Sequence, residues 1–230
     1  MNNSTEQYNA VAEFMKLGSQ DVNTEFTLQS LGVANFRIRL IDEEINGKNE
    51  MIYCAERDDK VGVLDGICDV LYVTLGAAAT FGVDVTDIQW NSLNPNSTET
   101  ILPAHKTLLW HSRIEDSSAQ FTRGVKTGDQ ITIRAGLKNL ICNLFDYATA
   151  CNFDLPGAFA EVHASNMSKF CETEAEALLS IEEHRARGDA KYDRVYVAKV
   201  GNLFAIKRAD DHKILKGRKY FEPELQKFVK

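Results

Sequence analysis

Apolar positions along this chain recur mostly with a helical period. Residues 5–18 carry Tyr8, Val11, Ala12, Met15 and Leu17 at that spacing before Gly18 ends the run, which predicts a first amphipathic helix. A second helix is predicted from about Asn35 to Ala55, with Ile38, Ile41, Ile45 and Ile52 as its inner stripe. A third is predicted from about Lys60 to Phe81, with Ile67, Val70, Leu71, Thr74, Leu75 and Ala78 turned inward and Gly82 as its stop. The stretch NSLNPNSTETILP is rich in turn formers and reads as a connector. Helical spacing resumes over 104–122 and 129–152, and PGAFAEVHASNMSKF places Pro156 and Gly157 ahead of another helix. At Arg194 the period changes. RVYVAKVGNLFAIKR alternates about Gly201-Asn202, the pattern of a β-hairpin, and a basic tail, DDHKILKGRKYFEPEL, follows.

The pattern also repeats. An ungapped shift of 70 residues lays DKVGVLDGICDVLYVTLGAAATFGVDV on DQITIRAGLKNLICNLFDYATACNFDL, so that Asp59 meets Asp129, Gly66 meets Gly136, Ala78 meets Ala148 and Asp84 meets Asp154. The apolar positions keep their character. At a shift of 69, RLIDEEI falls on LLWHSRI. The acids do not survive: Asp65 becomes Ala135, Asp69 becomes Asn139, Glu43 becomes Ser112 and Glu44 becomes Arg113. Phase matching between two amphipathic helices is the plain alternative, but a scaffold kept while its acids vanish is what a chemical unit and a packing unit would show. Tandem helical units of this size bury their faces together, which predicts a mainly α fold: one helical bundle of two tandem pseudo-repeats, the second degenerate, plus a small C-terminal β-hairpin. The expected divisions are a metal-binding helical unit over 1–94, the degenerate unit over 95–185, and the hairpin with its basic tail over 186–230.

Composition narrows the function. With 44% hydrophobic and 26% charged residues the 230-residue chain is ordinary for a globular protein, and its net charge of −7 argues against a general nucleic-acid or membrane binder. Lys and Arg gather after residue 185, so an anionic ligand requires a metal or that local patch. Cys54, Cys68, Cys142, Cys151 and Cys171 form no CxxC pair and read mainly as small hydrophobes. His163, like His105, His111, His184 and His212, lacks a second histidine at ligand spacing. No charged-then-apolar leader opens the chain and no apolar run approaches the ~18 residues that span a bilayer, so the expected location is the cytoplasm, of a bacterium or a phage-infected cell.

Candidate chemistry lies in the acids of the second and third helices. Glu43 and Glu50 are two turns apart in line, Glu44 borders the Ile41/Ile45 stripe, and Asp65 and Asp69 share one side of the next helix. Acids at a buried seam repel unless a cation lies between them, and an oxygen-only set suits Mg²⁺, or Mn²⁺, in place of Zn²⁺. A charged face turned to solvent is the alternative for any such pair. The same positions lose their acids in the second unit, which favours the metal.

RLIDEEINGKNE, LDGICDVLYVTLGAAATFGVD, AFAEVHASNMSKF and DDHKILKGRKYFEPEL together resemble the phage-type members of the MazG-like, all-α nucleoside triphosphate pyrophosphohydrolases, a superfamily that includes phosphoribosyl-ATP pyrophosphohydrolase and the dimeric dUTPases. The resemblance covers residues 5–85 and 155–225. It implies Mg²⁺-dependent cleavage of a (d)NTP between its α- and β-phosphates, to (d)NMP and pyrophosphate. Glu43 and Glu44 match the paired glutamates of the family's EExxE motif and Asp69 the last acid of its ExxD motif, giving Glu43, Glu44 and Asp69 as catalytic residues. Position 47 is Gly47, so the third acid of EExxE moves to Glu50. Position 66 is Gly66, so Asp65 substitutes for the glutamate of ExxD. The implied metal set is Glu43, Glu44, Glu50, Asp65 and Asp69. Asn166 and Lys169 are implied substrate contacts, joined by Lys213, Lys216 and Tyr220 from the tail. The partner is then a nucleoside triphosphate, with no nucleic acid or membrane, and the fused pair acts alone or as a homodimer. The rivals are a non-catalytic helical interaction or regulatory protein, and a same-fold hydrolase of a phosphoribosyl-linked or modified nucleotide.

Overall fold

The computed structural model describes residues 4–89 and 108–229. The expected connector NSLNPNSTETILP, His105 and the start of the helix expected from 104 therefore lie outside the described residues. Contacts divide the chain into one unit of Met1–Ala12, Asp21–Val162 and Glu224–Lys230 and another of Glu13–Gln20 and His163–Pro223. The boundaries cross two helices, α1 (Thr5–Leu17) and α7 (Leu155–Met167).

The first unit is built on α2 (Leu31–Asn46), α3 (Met51–Glu56), α4 (Lys60–Phe81), α5 (Leu108–Thr127) and α6 (Gln130–Ala150). Its central rod is α4, in which every position expected to face inward, Ile67, Val70, Leu71, Thr74, Leu75 and Ala78, is fully buried. Asp59 starts this helix by accepting from the Gly62 backbone N–H, and Gly82 stops it in a left-handed conformation at φ 62°. A Cβ at Gly82 would fall on the Glu25 carbonyl. The expectation that no apolar run is long enough to span a bilayer is corrected here. By length and composition Lys60–Phe81 qualifies, yet 72% of its most apolar window is buried within the protein, as in the core helix of a bundle.

The single helix expected over 35–55 is two. After Asn46 the chain leaves helical geometry at Gly47 (φ −64°, ψ 161°), takes a positive φ of 71° at Asn49, and begins α3 from an extended Glu50. Gly and Asn tolerate such a break better than any other pair, and a Cβ at Gly47 would lie 2.4 Å from the Glu43 carbonyl oxygen.

The repeat is realised in packing detail. Asp129 caps α6 through the Ile131 N–H as Asp59 caps α4. Gly66 sits so close to α3 that a Cβ would lie 2.6 Å from the Met51 Cα; Gly136 sits so close to α5 that a Cβ would lie 2.4 Å from the Phe121 nitrogen. Met51 and Phe121 are themselves 70 apart, so one close-approach point is used twice at one register. Around these seams α2 packs on α4 and α5, and α4 on α6. The mainly α fold with a small C-terminal hairpin is as expected.

In the second unit α8 (Glu174–Ala186), capped by Thr173, packs against a two-stranded antiparallel hairpin, β1 (Val195–Val200) and β2 (Leu203–Arg208). The register pairs Val200 with Leu203 across Gly201-Asn202, the turn expected from sequence, with Gly201 at φ 61°. α8 was not expected, because only a narrow stripe of Ala177, Ser180 and Ile181 is buried and the rest of EAEALLSIEEHRA is polar or exposed. Cys171, Ala177, Ile181, Tyr192, Ile206 and Leu215 form one core here, while Phe170, Val200, Ala205 and Ile214 form another with Phe14 and Leu17. All five cysteines are free thiols.

Candidate metal centre

Three acids from three helical segments converge in the first unit. Glu44 leaves the last turn of α2 beside buried Ile41 and Ile45, Glu50 sits at the N-cap of α3, and Asp69 comes from the middle of α4. One carboxylate oxygen of each lies within 4.8 Å of the other two, and all three residues are half-buried. The break at Gly47–Asn49 matters here, since it starts a new helix whose first residue carries the third carboxylate.

Electrostatics give the arrangement its meaning. Two like charges about 4 Å apart cost roughly 4 kcal/mol at an effective dielectric constant near 20, so three carboxylates at this spacing call for a cation or a shared proton. The neighbouring thiols sense the field. Burial first, then Asp59, Glu50 and Asp65, push Cys54 up, and burial followed by Asp69 and Asp65 pushes Cys68 well above its ordinary value. An all-oxygen donor set fits Mg²⁺ or Mn²⁺, and no His or Cys is among the converging ligand atoms.

The remaining expected acids occupy other places. Asp65, one turn before Asp69, is half-buried and contributes to the field on both thiols without joining the three converging oxygens. Glu43 is exposed and lies 3.7 Å from Arg39 one turn back.

The second repeat shows what stands at the equivalent seam without acids. A shift of 70 takes Glu50 to Gln120 and Asp69 to Asn139, and the Asn139 amide donates to Gln120 Oε1 at 3.0 Å. A neutral hydrogen bond thus replaces a pair of repelling carboxylates. Asn139 was expected as the counterpart of Asp69, whereas Gln120 was missed. The signal for it was the 70-residue shift applied to Glu50.

Sequence reasoning also missed a groove of about 820 Å³ between α2 and α5, lined by Asn35, Arg39, Asp42, Ser118, Arg123 and Lys126. At about 100° per residue its α2 residues lie on the flank of that helix away from Glu44.

Substrate contacts expected from the second half belong to the second unit. Lys169 donates to Asn166 Oδ1 at 2.5 Å, Lys216 donates to Glu222 at 2.6 Å, and the Tyr220 hydroxyl donates to the same carboxylate at 2.6 Å. Lys213 is exposed beside the hairpin, where its carbonyl accepts from the Arg208 backbone N–H. His111 bonds the Tyr147 hydroxyl at 3.2 Å and His184 stacks on Tyr192 at 3.9 Å, so both are occupied structurally.

A helical bundle that brings oxygen ligands from adjacent helices to one point has the layout of a carboxylate metal site in a bundle core. Residues 10–94, which contain all three converging acids, match the family model for phosphoribosyl-ATP pyrophosphohydrolase, a family within the MazG-like, all-α nucleoside triphosphate pyrophosphohydrolase superfamily. A relative over nearly the whole chain is the uncharacterized protein L479 of Acanthamoeba polyphaga mimivirus. It is 25% identical over 237 residues, which cover 94% of this chain and 92% of the relative. No solved structure matches significantly.

Proposed function

We propose that the protein is a divalent-metal-dependent nucleoside triphosphate pyrophosphohydrolase that cleaves a (d)NTP between its α- and β-phosphates, releasing (d)NMP and pyrophosphate. The convergence of Glu44, Glu50 and Asp69 within 4.8 Å carries the reading. The pyrophosphohydrolase match over residues 10–94 supports the reaction class and a nucleotide substrate.

Glu44, Glu50 and Asp69 are the proposed inner ligands of Mg²⁺ or Mn²⁺. Glu43, exposed on the same turn as Glu44, is a proposed outer ligand reached through water. When bound, the ion supplies charge neutralisation on the phosphates and acidifies a water molecule. Asp65, beside the triad and outside it, is the proposed proton acceptor from the attacking water. No nucleophilic side chain is needed, because phosphoryl transfer rests on positioning and charge stabilisation. Asn166, Lys169, Lys216 and Tyr220 are the proposed nucleotide contacts, with Lys213 a peripheral cation.

The test is pyrophosphate release from a panel of dNTPs and NTPs with Mg²⁺, Mn²⁺ or EDTA. Activity is expected with metal and none with EDTA. Asp69→Asn is expected to lower kcat at least about 100-fold with its thermal unfolding intact, since Asn139 already occupies the equivalent seam as a neutral amide. Full activity in Asp69→Asn contradicts the metal assignment. No product from any nucleotide, with no shift in unfolding temperature on adding Mn²⁺, favours a non-catalytic interaction protein. The match to the phosphoribosyl-ATP pyrophosphohydrolase family favours one further arm, phosphoribosyl-ATP as a competing substrate.

A further inference from the structure

The groove between α2 and α5 has two chemically different ends. A Cβ at Gly128, just after α5, would lie 3.9 Å from the Leu28 side chain, just before α2, so the two helices run antiparallel along the groove. Arg123 and Lys126 therefore stand at the end where α2 begins. Glu115 lines the groove eight residues before Arg123, about 12 Å along the α5 axis, and Asp42 of α2 lies toward the same acidic end. The floor is apolar, made by Ile38, Ile45 and Ala119.

The α5 charges have no other employment. Arg39, on the α2 rim, lies beside Glu43, and Asp42 accepts from Asn46. Among the described residues the side chains of Glu115, Arg123 and Lys126 form no ion pair or hydrogen bond. Nor do they belong to the scaffold that the two repeats share. A shift of 70 places Ile45, Tyr53 and Glu56 at the same three positions of the first unit. The degenerate unit lacks the acids of the metal centre, yet on this face it carries a charge pattern of its own.

Size and polarity together select a ligand. About 820 Å³ falls within the range of sites for small organic molecules. Two cations at one end match a phosphate monoester, which carries about 1.5 to 2 negative charges at neutral pH. The apolar floor suits the face of a planar ring, and a carboxylate at the far end accepts from an amino group on that ring.

We propose that this groove binds a phosphate monoester bearing a planar, amino-substituted ring, of which dAMP and dCMP are examples, with Arg123 and Lys126 on the phosphate and Glu115 on the ring amine. The choice of a nucleotide rests on the pyrophosphohydrolase reading, whose product is a monophosphate; the two-ended groove does not. The site is separate from the metal centre, because the α2 residues that line it face away from Glu44.

The probe is dAMP, titrated calorimetrically into the full chain in EDTA so that no divalent metal holds the nucleotide. Beside it run dTMP, which lacks the ring amine, and ribose 5-phosphate, which lacks the base. Binding is expected to be tightest for dAMP and weakest for ribose 5-phosphate. Arg123→Gln/Lys126→Gln is expected to weaken dAMP about tenfold, and Glu115→Ala to remove its advantage over dTMP. In the wild-type chain dAMP is expected to protect Lys126, and not Lys191, from acetylation by acetic anhydride, a readout that needs no variant to fold. No binding of dAMP, equal affinity for all three probes, or Lys126 labelling that dAMP leaves unchanged overturns the proposal. Protection of Lys126 in a protein that hydrolyses no nucleotide keeps this inference and removes the hydrolase reading. An active enzyme whose Lys126 is never protected does the reverse.

Discussion

Single side chains in this protein show charge in two settings. The triad of Glu44, Glu50 and Asp69 is a concentration of like charge, so neutralising one member relieves repulsion when no cation is present. In EDTA, Glu50→Gln is expected to unfold at a higher temperature than wild type, and in Mn²⁺ the order is expected to reverse; a thermal melt in the two buffers checks both. Asp211 shows the opposite case. The Arg208 guanidinium, bonded to both of its oxygens, lowers its pKa from 3.8 to about 2. A carboxylate depressed in the folded state contributes stability that is fully present above its unfolded value and lost as pH falls through its folded value. Acid titration of stability between about pH 4 and pH 2 is therefore expected to show a loss that Arg208→Met removes. At this scale Glu44 and Asp69 were legible from motif position and Glu50 from the absence of an acid at Gly47.

Helices were legible wherever their periodicity was strong and their ends were chemically marked. Lys60–Phe81, with Asp59 before it and Gly82 after it, was read to the residue, and the hairpin about Gly201-Asn202 nearly so. Two features were hidden. The break between α2 and α3 leaves the apolar phase almost undisturbed, and α8 presents too thin an apolar stripe to stand out from a polar loop. The two close-approach glycines make a direct test of the seams. Gly136→Ala places a methyl group 2.4 Å from the Phe121 nitrogen, and Gly66→Ala places one 2.6 Å from the Met51 Cα. Both contacts are with backbone, which cannot rotate away, so each substitution is expected to cost about 1–3 kcal/mol in denaturant unfolding. An unaffected midpoint in both would contradict the seam packing described.

Across the whole chain, one scaffold serves twice with different chemistry. Glu50 and Asp69 recur as Gln120 and Asn139, and a hydrogen bond of 3.0 Å takes the place of charge repulsion. The double variant Gln120→Glu/Asn139→Asp is expected to restore that repulsion, lowering the unfolding temperature in EDTA, with part of the loss recovered in Mn²⁺ and none in NaCl of equal ionic strength. The repeat was visible in sequence because its apolar positions persist; the amide pair was not, because the partner of Asn139 depends on which α5 residue the seam brings opposite. The pyrophosphohydrolase match covers residues 10–94, whereas the similarity to the mimivirus relative extends over 94% of the chain and so takes in the second half as well. The account as a whole depends on the cation. Anomalous diffraction from crystals grown with Mn²⁺ locates it directly. The expected result is a peak about 2.0–2.3 Å from oxygens of Glu44, Glu50 and Asp69, absent in Asp69→Asn. A peak at other residues, or none at the triad with Mn²⁺ in the crystal, contradicts the central claim.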